Sequence, residues 1–589
     1  MAVLADPAGT GRSPRSRSGA RFWDRLTPVR SPMALPLALV LVPIAAGVVA
    51  LLVSWLRGRP YAPFGDQVFI ELHVRDIGSH AVLTGPFSRY GWDHPGPLMY
   101  YVLAPLYWLT GTASQSLAIT PLLTNAACVV GIAVIVRRRA GTPAAVWTLL
   151  VLAIYLRVFG AASLRNNWNP DFPVLPCALM AFLSWSFACG SWWSLPLIAA
   201  LASFQVQSHA GFAPAVLAAL AVAAVALAVR TVYARRHPAP ADDPAIDPDV
   251  DLDSDTVGDP VGERPRQRRW PLPSAITLLV LVVLWLPPII DAAAHSGGNL
   301  REMFDYFGSA TPDGTWHAGV SWLNSDLGAL PAYLTGVDRS APPTVQPPLP
   351  GWTGVVALLA FALSAALAVR RRSRDTAVLT ALTGALSIAG ALAVRRIVGP
   401  LFPYLAAWVL VPGILLWTTL GVALLGREGR RPAFSVTVPD RARRPAWALS
   451  AAALAVFAGI GAAAQVHVTT PWTYTDTVTR QLDAGVVSWL GPHRHELVRI
   501  DSTGRGNDLI SMLGASQRAS ALLMALDRSG VPVRVAPFYV GAYGKPRGEN
   551  LDQVRWVLTV VQGSGTGQRG DLVARSGDWF VYARPGPAH

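Results

Sequence analysis

The sequence predicts an all-α polytopic membrane protein of about eleven transmembrane helices, with a small C-terminal α/β domain on the extracytoplasmic side. Three observations predict it. Of 589 residues, 52% are apolar and 14% charged, where a soluble chain carries roughly 25% charged residues. Charge is scarce because an ionised side chain at the centre of a membrane helix costs about 2.5–3.5 kcal/mol. The apolar residues fall in long runs, the first of them (Met33–Leu56) free of charge, and a bilayer core takes about 20 such residues. The runs end at arginine clusters on alternate turns, which sets their direction across the membrane.

Residues 1–32 carry Arg12, Arg15, Arg17, Arg21, Arg25 and Arg30 and read as a disordered cytoplasmic segment. The run that follows exceeds the 7–15-residue apolar core of a signal peptide, so it reads as an uncleaved anchor. The transmembrane domain then covers residues 33–464. A first outer loop spans residues 57–114. Span two, Gln115–Val136, returns to Arg137, Arg138 and Arg139. Span three, Pro143–Leu164, runs out to Arg165, and span four, Phe172–Cys189, comes back. Span five, Trp192–Gln207, ends outside at His209, and span six, Phe212–Val229, runs in to Arg230, Arg235 and Arg236. Residues 237–269, rich in proline and aspartate, form a disordered cytoplasmic linker.

Span seven, Pro273–Ile290, opens a second outer loop, residues 291–350, in which Asn299–Phe307 suits a helix lying in the interface. Spans eight, nine and ten end at Arg370–Arg372 inside, Arg395–Arg396 outside and Arg427–Arg431 inside. Span eleven, Ala446–Ala464, leaves residues 465–589 outside. In that tail Leu497–Ile500, Val531–Val535, Val554–Val561 and Trp579–Ala583 read as strands, and Ala519–Arg528 as a helix capped by Gly530.

The net charge of +14 does not signal nucleic acid, because the arginines cluster at helix ends rather than on one soluble face. Cys128, Cys177 and Cys189 lie in apolar runs, so the tail has no disulfide framework. Gly504-Arg505-Gly506-Asn507 and residues 563–570 read as loops without the strand-then-helix setting of a dinucleotide site. His493 and His495 read as a solvated pair.

The first outer loop holds the densest chemistry. Asp66, Glu71 and Asp76 follow closely on the first span, then Arg89, then Trp92-Asp93-His94-Pro95-Gly96-Pro97-Leu98-Met99-Tyr100-Tyr101 opens an apolar helix that ends at Leu109-Thr110-Gly111. A solvated loop with an aromatic belt accounts for Trp92 and the tyrosines, and less well for three acids so near the membrane. Two further stretches face the same side: Arg165-Asn166-Asn167-Trp168-Asn169-Pro170-Asp171 and Gln205-Val206-Gln207-Ser208-His209. Turn and capping chemistry is the competing account of their amides.

Asp66 and the His94–Tyr101 helix start resemble the first outer loop of the GT-C glycosyltransferases, closest to the protein mannosyltransferase and aminoarabinose-transferase branch. The resemblance covers roughly the first 230 residues by motif and span order. It implies that Pro97–Leu109 lies in the interface rather than crossing. It departs from the family where Gln67 follows Asp66 in place of a second acid, and where Pro95-Gly96-Pro97 replaces Pro-Pro.

The resemblance implies sugar transfer, with inversion, from a polyprenyl-phosphate donor to a cell-envelope glycan or protein, at the outer face of the plasma membrane. That chemistry suits the residues. A carboxylate is suited to take the acceptor's proton, and cations stabilise a departing phosphate. Asp66 is the expected base, with Glu71 as a second catalytic acid. Asp76, Arg89, Asp93, His94, Arg165, Trp168, Asn169, His209, Arg395 and Arg396 are the expected substrate and phosphate contacts. The arginines equally suit snorkelling to lipid headgroups. No cofactor is implied, although a divalent metal is compatible with the acids. A lipid or solute transporter and a non-catalytic envelope-assembly protein are the rival readings. A transporter wants internally related halves and charges at mid-membrane, and Arg157 is the only clear charge inside a span.

Overall fold

The computed structural model describes residues 33–58, 61–236, 271–337, 347–428, 431–432, 440–468, 473–474, 477–503, 509–563 and 569–587. The expected N-terminal segment, the cytoplasmic linker, Gly504–Asn507 and parts of the second outer loop lie outside them.

The chain opens with helix α1 (Ala34–Leu56) and turns through two loop helices, α2 (Asp66–Asp76) and α3 (Leu98–Leu109). At 12 residues and 1.5 Å each, α3 is about 18 Å long, too short to cross, as the interfacial expectation requires. Then follow α4 (Gln115–Ala140), α5 (Thr142–Phe159), α6 (Val174–Ala188), α7 (Ser194–Ser208), α8 (Ala213–Arg236) and α9 (Pro271–Ala294). The second outer loop contains α10 (Gly298–Ser309) and α11 (Trp316–Leu327). The bundle is completed by α12 (Gly351–Arg371), α13 (Arg374–Arg395), α14 (Leu410–Leu425) and α15 (Asp440–His467).

Among the described residues, nine helical stretches are long and apolar enough to cross a membrane. The expected fourth and fifth spans are α6 and α7. Each has 15 residues and reaches only about 22 Å. Every residue of α6 is buried, so its sequence is apolar all round. The expected third span is a correction: its helix stops at Phe159, because Gly160 takes φ 94° and restarts the chain as a separate turn, Ala161–Leu164. The first and last spans lie along each other, and at Gly461 a Cβ would come within 2.7 Å of the Pro43 ring.

One end of the bundle gathers arginines. Arg139 pairs with Asp375 at 2.8 Å, and Arg371 and Arg374 cap the carbonyls of Ala423 and Ala188. The other end carries the tail. There α16 (Thr477–Leu490) and α17 (Leu509–Arg528) pack on a five-stranded sheet. Its strands are β1 (Val498–Thr503), β2 (Val533–Val535), β3 (Trp556–Gln562), β4 (Asp571–Ser576) and β5 (Trp579–Pro585), in the order β2-β1-β3-β5-β4. β1 runs parallel to β2 and β3, and the pairs β3–β5 and β4–β5 are antiparallel. Gly530 closes α17 at φ 77°, with the Val531 N–H bonded to the Leu526 carbonyl at 3.0 Å.

Two expectations about the tail change. β4, an exposed edge strand, carries too weak an apolar signal to stand out in the sequence, whereas α16 follows an apolar stripe at Val478, Leu482, Val486 and Leu490 that was not expected there. And 504–507 is flanked by strand β1 and helix α17, the setting expected to be missing.

Helix α2 belongs to both halves of the molecule. Val68 and Leu72 join the tail's core with Leu482, Leu522 and Val560. Ile70 and Val74 face α3 and pack with Met99, Leu103 and Tyr107. Period 3.6 places these pairs on different faces, so the helix is apolar on two sides and leaves its polar residues at the seam.

Candidate active site

Gly65 sets the start of α2. Its φ of 58° with ψ −136° suits glycine alone, and its N–H donates to Ser520 Oγ at 2.7 Å. Asp66 follows in the first turn. Its carboxylate accepts the Trp168 indole N–H at 2.7 Å. The Trp168 ring tilts against Tyr404, with centroids 4.7 Å apart, and the charges of both Asp66 and Arg89 reach the Tyr404 hydroxyl. Arg89 is exposed and anchored through Nη2, which donates to Tyr90 Oη at 2.8 Å and to the carbonyls of Val398 and Pro400 at 2.8 and 3.2 Å. An acid and a guanidinium thus both lie within electrostatic reach of one tyrosine. Asp66 is half-buried, and burial raises its pKa against the opposing pull of the Trp168 bond.

Two more acids share this environment. Asp171 is pushed up to about 6 by burial, with Asn166 and Ser163 opposing. Asn166 donates to it at 2.9 Å and accepts from Gln67 at 2.8 Å, so Asp171 is tied to the residue after Asp66. Here Gln67, where the family pattern has an acid, serves as a donor. Asp93 is pushed up to about 7, first by burial and then by Glu302 and Asp291, with the Thr84 hydrogen bond opposing. Thr84 donates to it at 2.8 Å, and its backbone N–H reaches Asn299 Oδ1 at 2.7 Å. Buried Tyr100 feels the charge of both Asp93 and Asp66. Among the described residues none of Asp66, Asp93 and Asp171 is in a salt bridge.

The His94 and His209 rings tilt against each other at 40°, with centroids 4.5 Å apart. Each Nδ1 accepts a backbone N–H, from Ala210 and from Gly211 respectively, both at 3.1 Å. Both rings are therefore neutral with the proton on Nε2. Burial lowers the pKa of each, that of His209 to about 4, and His209 also lowers His94. Neither is a phosphate cation at neutral pH. The Pro-Gly-Pro departure has a steric cause: a Cβ at Gly96 would lie 2.3 Å from Gln207 Oε1, and one at Gly85 would lie 2.5 Å from the Gly96 carbonyl.

The remaining expected site residues have partners of their own. Glu71 is fully buried and accepts from Tyr107 Oη at 2.7 Å, from Ser114 Oγ at 2.8 Å and from Arg528 of α17. Asp76 takes a two-pronged bond from Arg547 at 2.8 and 3.1 Å, and Arg75 meets Asp527 at 3.1 Å. Arg165 is buried and donates to the side chain and carbonyl of Gln465, tying the last span to the turn after α5. Asn169 donates to the Ser208 carbonyl at 3.3 Å. Arg395 and Arg396 are exposed at the end of α13, Arg395 over the Trp316 ring at 5.0 Å. The second histidine pair is divided: His493 contacts Glu496 at 3.2 Å. Sequence reasoning did not single out Asp171, whose Asn-Pro-Asp setting reads as a turn, or Tyr404, which no local signal links to Asp66. Among the described residues no three His, Cys, Asp or Glu side chains are placed to hold a metal ion.

Residues 93–239 match the family model described as dolichyl-phosphate-mannose-protein mannosyltransferase. The chain is similar to the crystal structure of ArnT from Cupriavidus metallidurans bound to undecaprenyl phosphate, with 14% identity, a TM-score of 0.50 and coverage of 92% of this chain and 97% of that one. The apo state of ArnT matches with the same identity and TM-score over 96% and 98%. The oligosaccharyltransferase of Archaeoglobus fulgidus, in complex with Zn and sulfate, matches at 13% identity and TM-score 0.41, over 89% of this chain and 68% of that one. No curated protein matches the sequence. The chain is a multi-pass membrane protein that shares the fold of ArnT.

Proposed function

We propose that this protein transfers a sugar from a polyprenyl-phosphate donor to a cell-envelope acceptor, with inversion at the anomeric carbon. The observation that carries the reading is Asp66: a half-buried carboxylate with a raised pKa, oriented by the indole N–H of Trp168, whose ring packs on Tyr404 beside Arg89. A raised pKa makes a carboxylate a stronger proton acceptor. Asp66 takes the proton of the acceptor hydroxyl as its oxygen attacks the anomeric carbon. The bond to the phosphate oxygen breaks, and the lipid phosphate leaves with the electron pair. Arg89 stabilises that phosphate through charge-assisted hydrogen bonds. Asp93 and Asp171 hold sugar hydroxyls at the rim.

The site faces the extracytoplasmic side. The arginine-rich helix ends lie opposite the tail, and such ends stay in the cytoplasm. Arg157 sits in the last turn of α5, at the same end as the site, and so gives no support to the mid-membrane charge a transporter needs.

The test uses purified protein in nanodiscs with synthetic polyprenyl-phosphate sugars and follows release of the lipid phosphate. Turnover is expected. Movement of the intact lipid-linked sugar across vesicles without turnover would replace this reading with a transporter.

A further inference from the structure

Asn166 is buried and joins three parts of the site. Its Oδ1 accepts the Trp168 backbone N–H at 3.2 Å and the Gln67 side-chain amide at 2.8 Å, and its Nδ2 donates to Asp171 at 2.9 Å. A backbone N–H can only donate, so the atom facing Trp168 is the oxygen, and the direction of the other two bonds follows. Asparagine often accepts the N–H two residues on in a turn. A turn has no use for the bond from Gln67, which lies 99 residues earlier, on α2, and is itself buried.

These bonds reach both partners of the Asp66 contact. Trp168 supplies the indole N–H that Asp66 accepts at 2.7 Å, and Asn166 holds the Trp168 main chain. The Trp168 carbonyl is held too, by the N–H groups of Asp171 and Phe172 at 3.0 and 2.9 Å. Gln67 follows Asp66 in α2, so the amide oxygen that fixes the donor also fixes the helix that carries the acceptor. Away from water such a bond is stronger, and its loss strands a buried donor.

We infer that Asn166 is a positioning residue for Asp66: it sets the Trp168 indole against the carboxylate by holding Trp168 on one side and Gln67 on the other. The inference rests on the reading of Asp66 as the base of sugar transfer. Glutamine at position 67 is part of the device. An ionised carboxylate there would have no hydrogen to give Asn166 Oδ1, and the tie between α2 and the turn at residues 165–171 would be lost. A misplacement of about 1 Å can cost about 10²-fold in rate, so such a clamp acts on kcat and not on the folded state alone.

The test is a double-mutant cycle on full-length protein in nanodiscs, with a synthetic polyprenyl-phosphate sugar as donor and release of the lipid phosphate as the readout. Thermal shift checks folding. Asn166→Ala and Trp168→Phe are each expected to lower kcat about 10–10²-fold, with donor KM little changed. In the double variant, Asn166→Ala should cost at most about twofold beyond Trp168→Phe alone, because both act on one contact. Each single variant should also move the acid limb of the rate profile to higher pH, since the Trp168 bond lowers the Asp66 pKa. Tyr100, Tyr404 and Tyr543 feel the Asp66 charge, and tyrosine hydroxyls stay protonated across that range. Gln67→Met cuts only the α2 side and should show the same pattern on a smaller scale, which keeps the cycle readable if Asn166→Ala does not fold. Losses that multiply in the double variant overturn the positioning role, as does a loss confined to KM. Release by wild type with full activity in Asn166→Ala overturns it and leaves the transferase reading standing. No release by wild type overturns both.

Discussion

The outer acids fall into two sets that the molecule treats in opposite ways. Glu71 and Asp76, at the seam between α2 and the tail, each meet an arginine from the tail. Asp66, Asp93 and Asp171, at the rim of the cleft, meet an indole, a hydroxyl and an amide. An arginine partner fixes a carboxylate as an anion and uses it for attachment. A neutral donor orients a carboxylate while burial keeps its affinity for a proton high. Asp66 and Glu71 are five residues apart on one helix, so the difference comes from what faces them.

The comparison breaks most visibly at Asp66. Asp66→Asn keeps the shape and the Trp168 bond, yet cannot take a proton. Sugar transfer should fall by about 10²–10⁴-fold with thermal stability unchanged. Retention of near wild-type transfer would move the base to Asp93 or Asp171.

The seam should respond in stability. Arg547→Met leaves Asp76 buried and unneutralised, a loss of about 3–5 kcal/mol for a broken buried pair, read by thermal or denaturant unfolding. Adding Asp76→Asn should recover most of it, because the cost lies in the orphaned charge. A double variant as unstable as the single one would mean that Arg547 acts through packing instead.

The rim should also show in pH dependence. Because the pKa of Asp66 is raised, the acid limb of the rate profile should have its midpoint above the ordinary carboxylate value of about 3.9, with rate increasing as pH rises through it. An acid limb at or below that value would argue against Asp66.

The smallest effect concerns Asp93, whose folded pKa of about 7 stands above the ordinary 3.8. Between those values the unfolded chain holds fewer protons than the folded one, so this group's stabilising contribution, full below pH 4, is lost as pH rises through about 7. Asp93→Asn should flatten that part of the stability profile. An unchanged slope would show that Asp93 ionises without cost.

The fold was largely legible because membrane insertion writes itself into local composition: apolar runs, bounded by arginines, gave the nine helices long enough to cross and, between them, the two shorter helices α6 and α7. What escaped were local breaks such as Gly160, where a backbone angle rather than hydrophobicity ends the helix, and β4, whose edge position requires little apolar patterning. The site was legible in part. Asp66 stood out by its place after the first span, but its partner Trp168 lies 102 residues on, and nothing local pairs them. Glu71 and Asp76 had the same local credentials as Asp66; their arginines lie 457 and 471 residues away. Residue type announces that a carboxylate needs an explanation, and only the tertiary partner says which.

That separation along the chain has a temporal side. At a synthesis rate of about 5–20 residues per second, roughly 20–90 s pass between the emergence of Glu71 and that of Arg528, its partner 457 residues later. Through that interval α2 has neither its arginines nor the tail core that receives Val68 and Leu72. The helix bearing Asp66 is therefore assembled last, although it is made among the first.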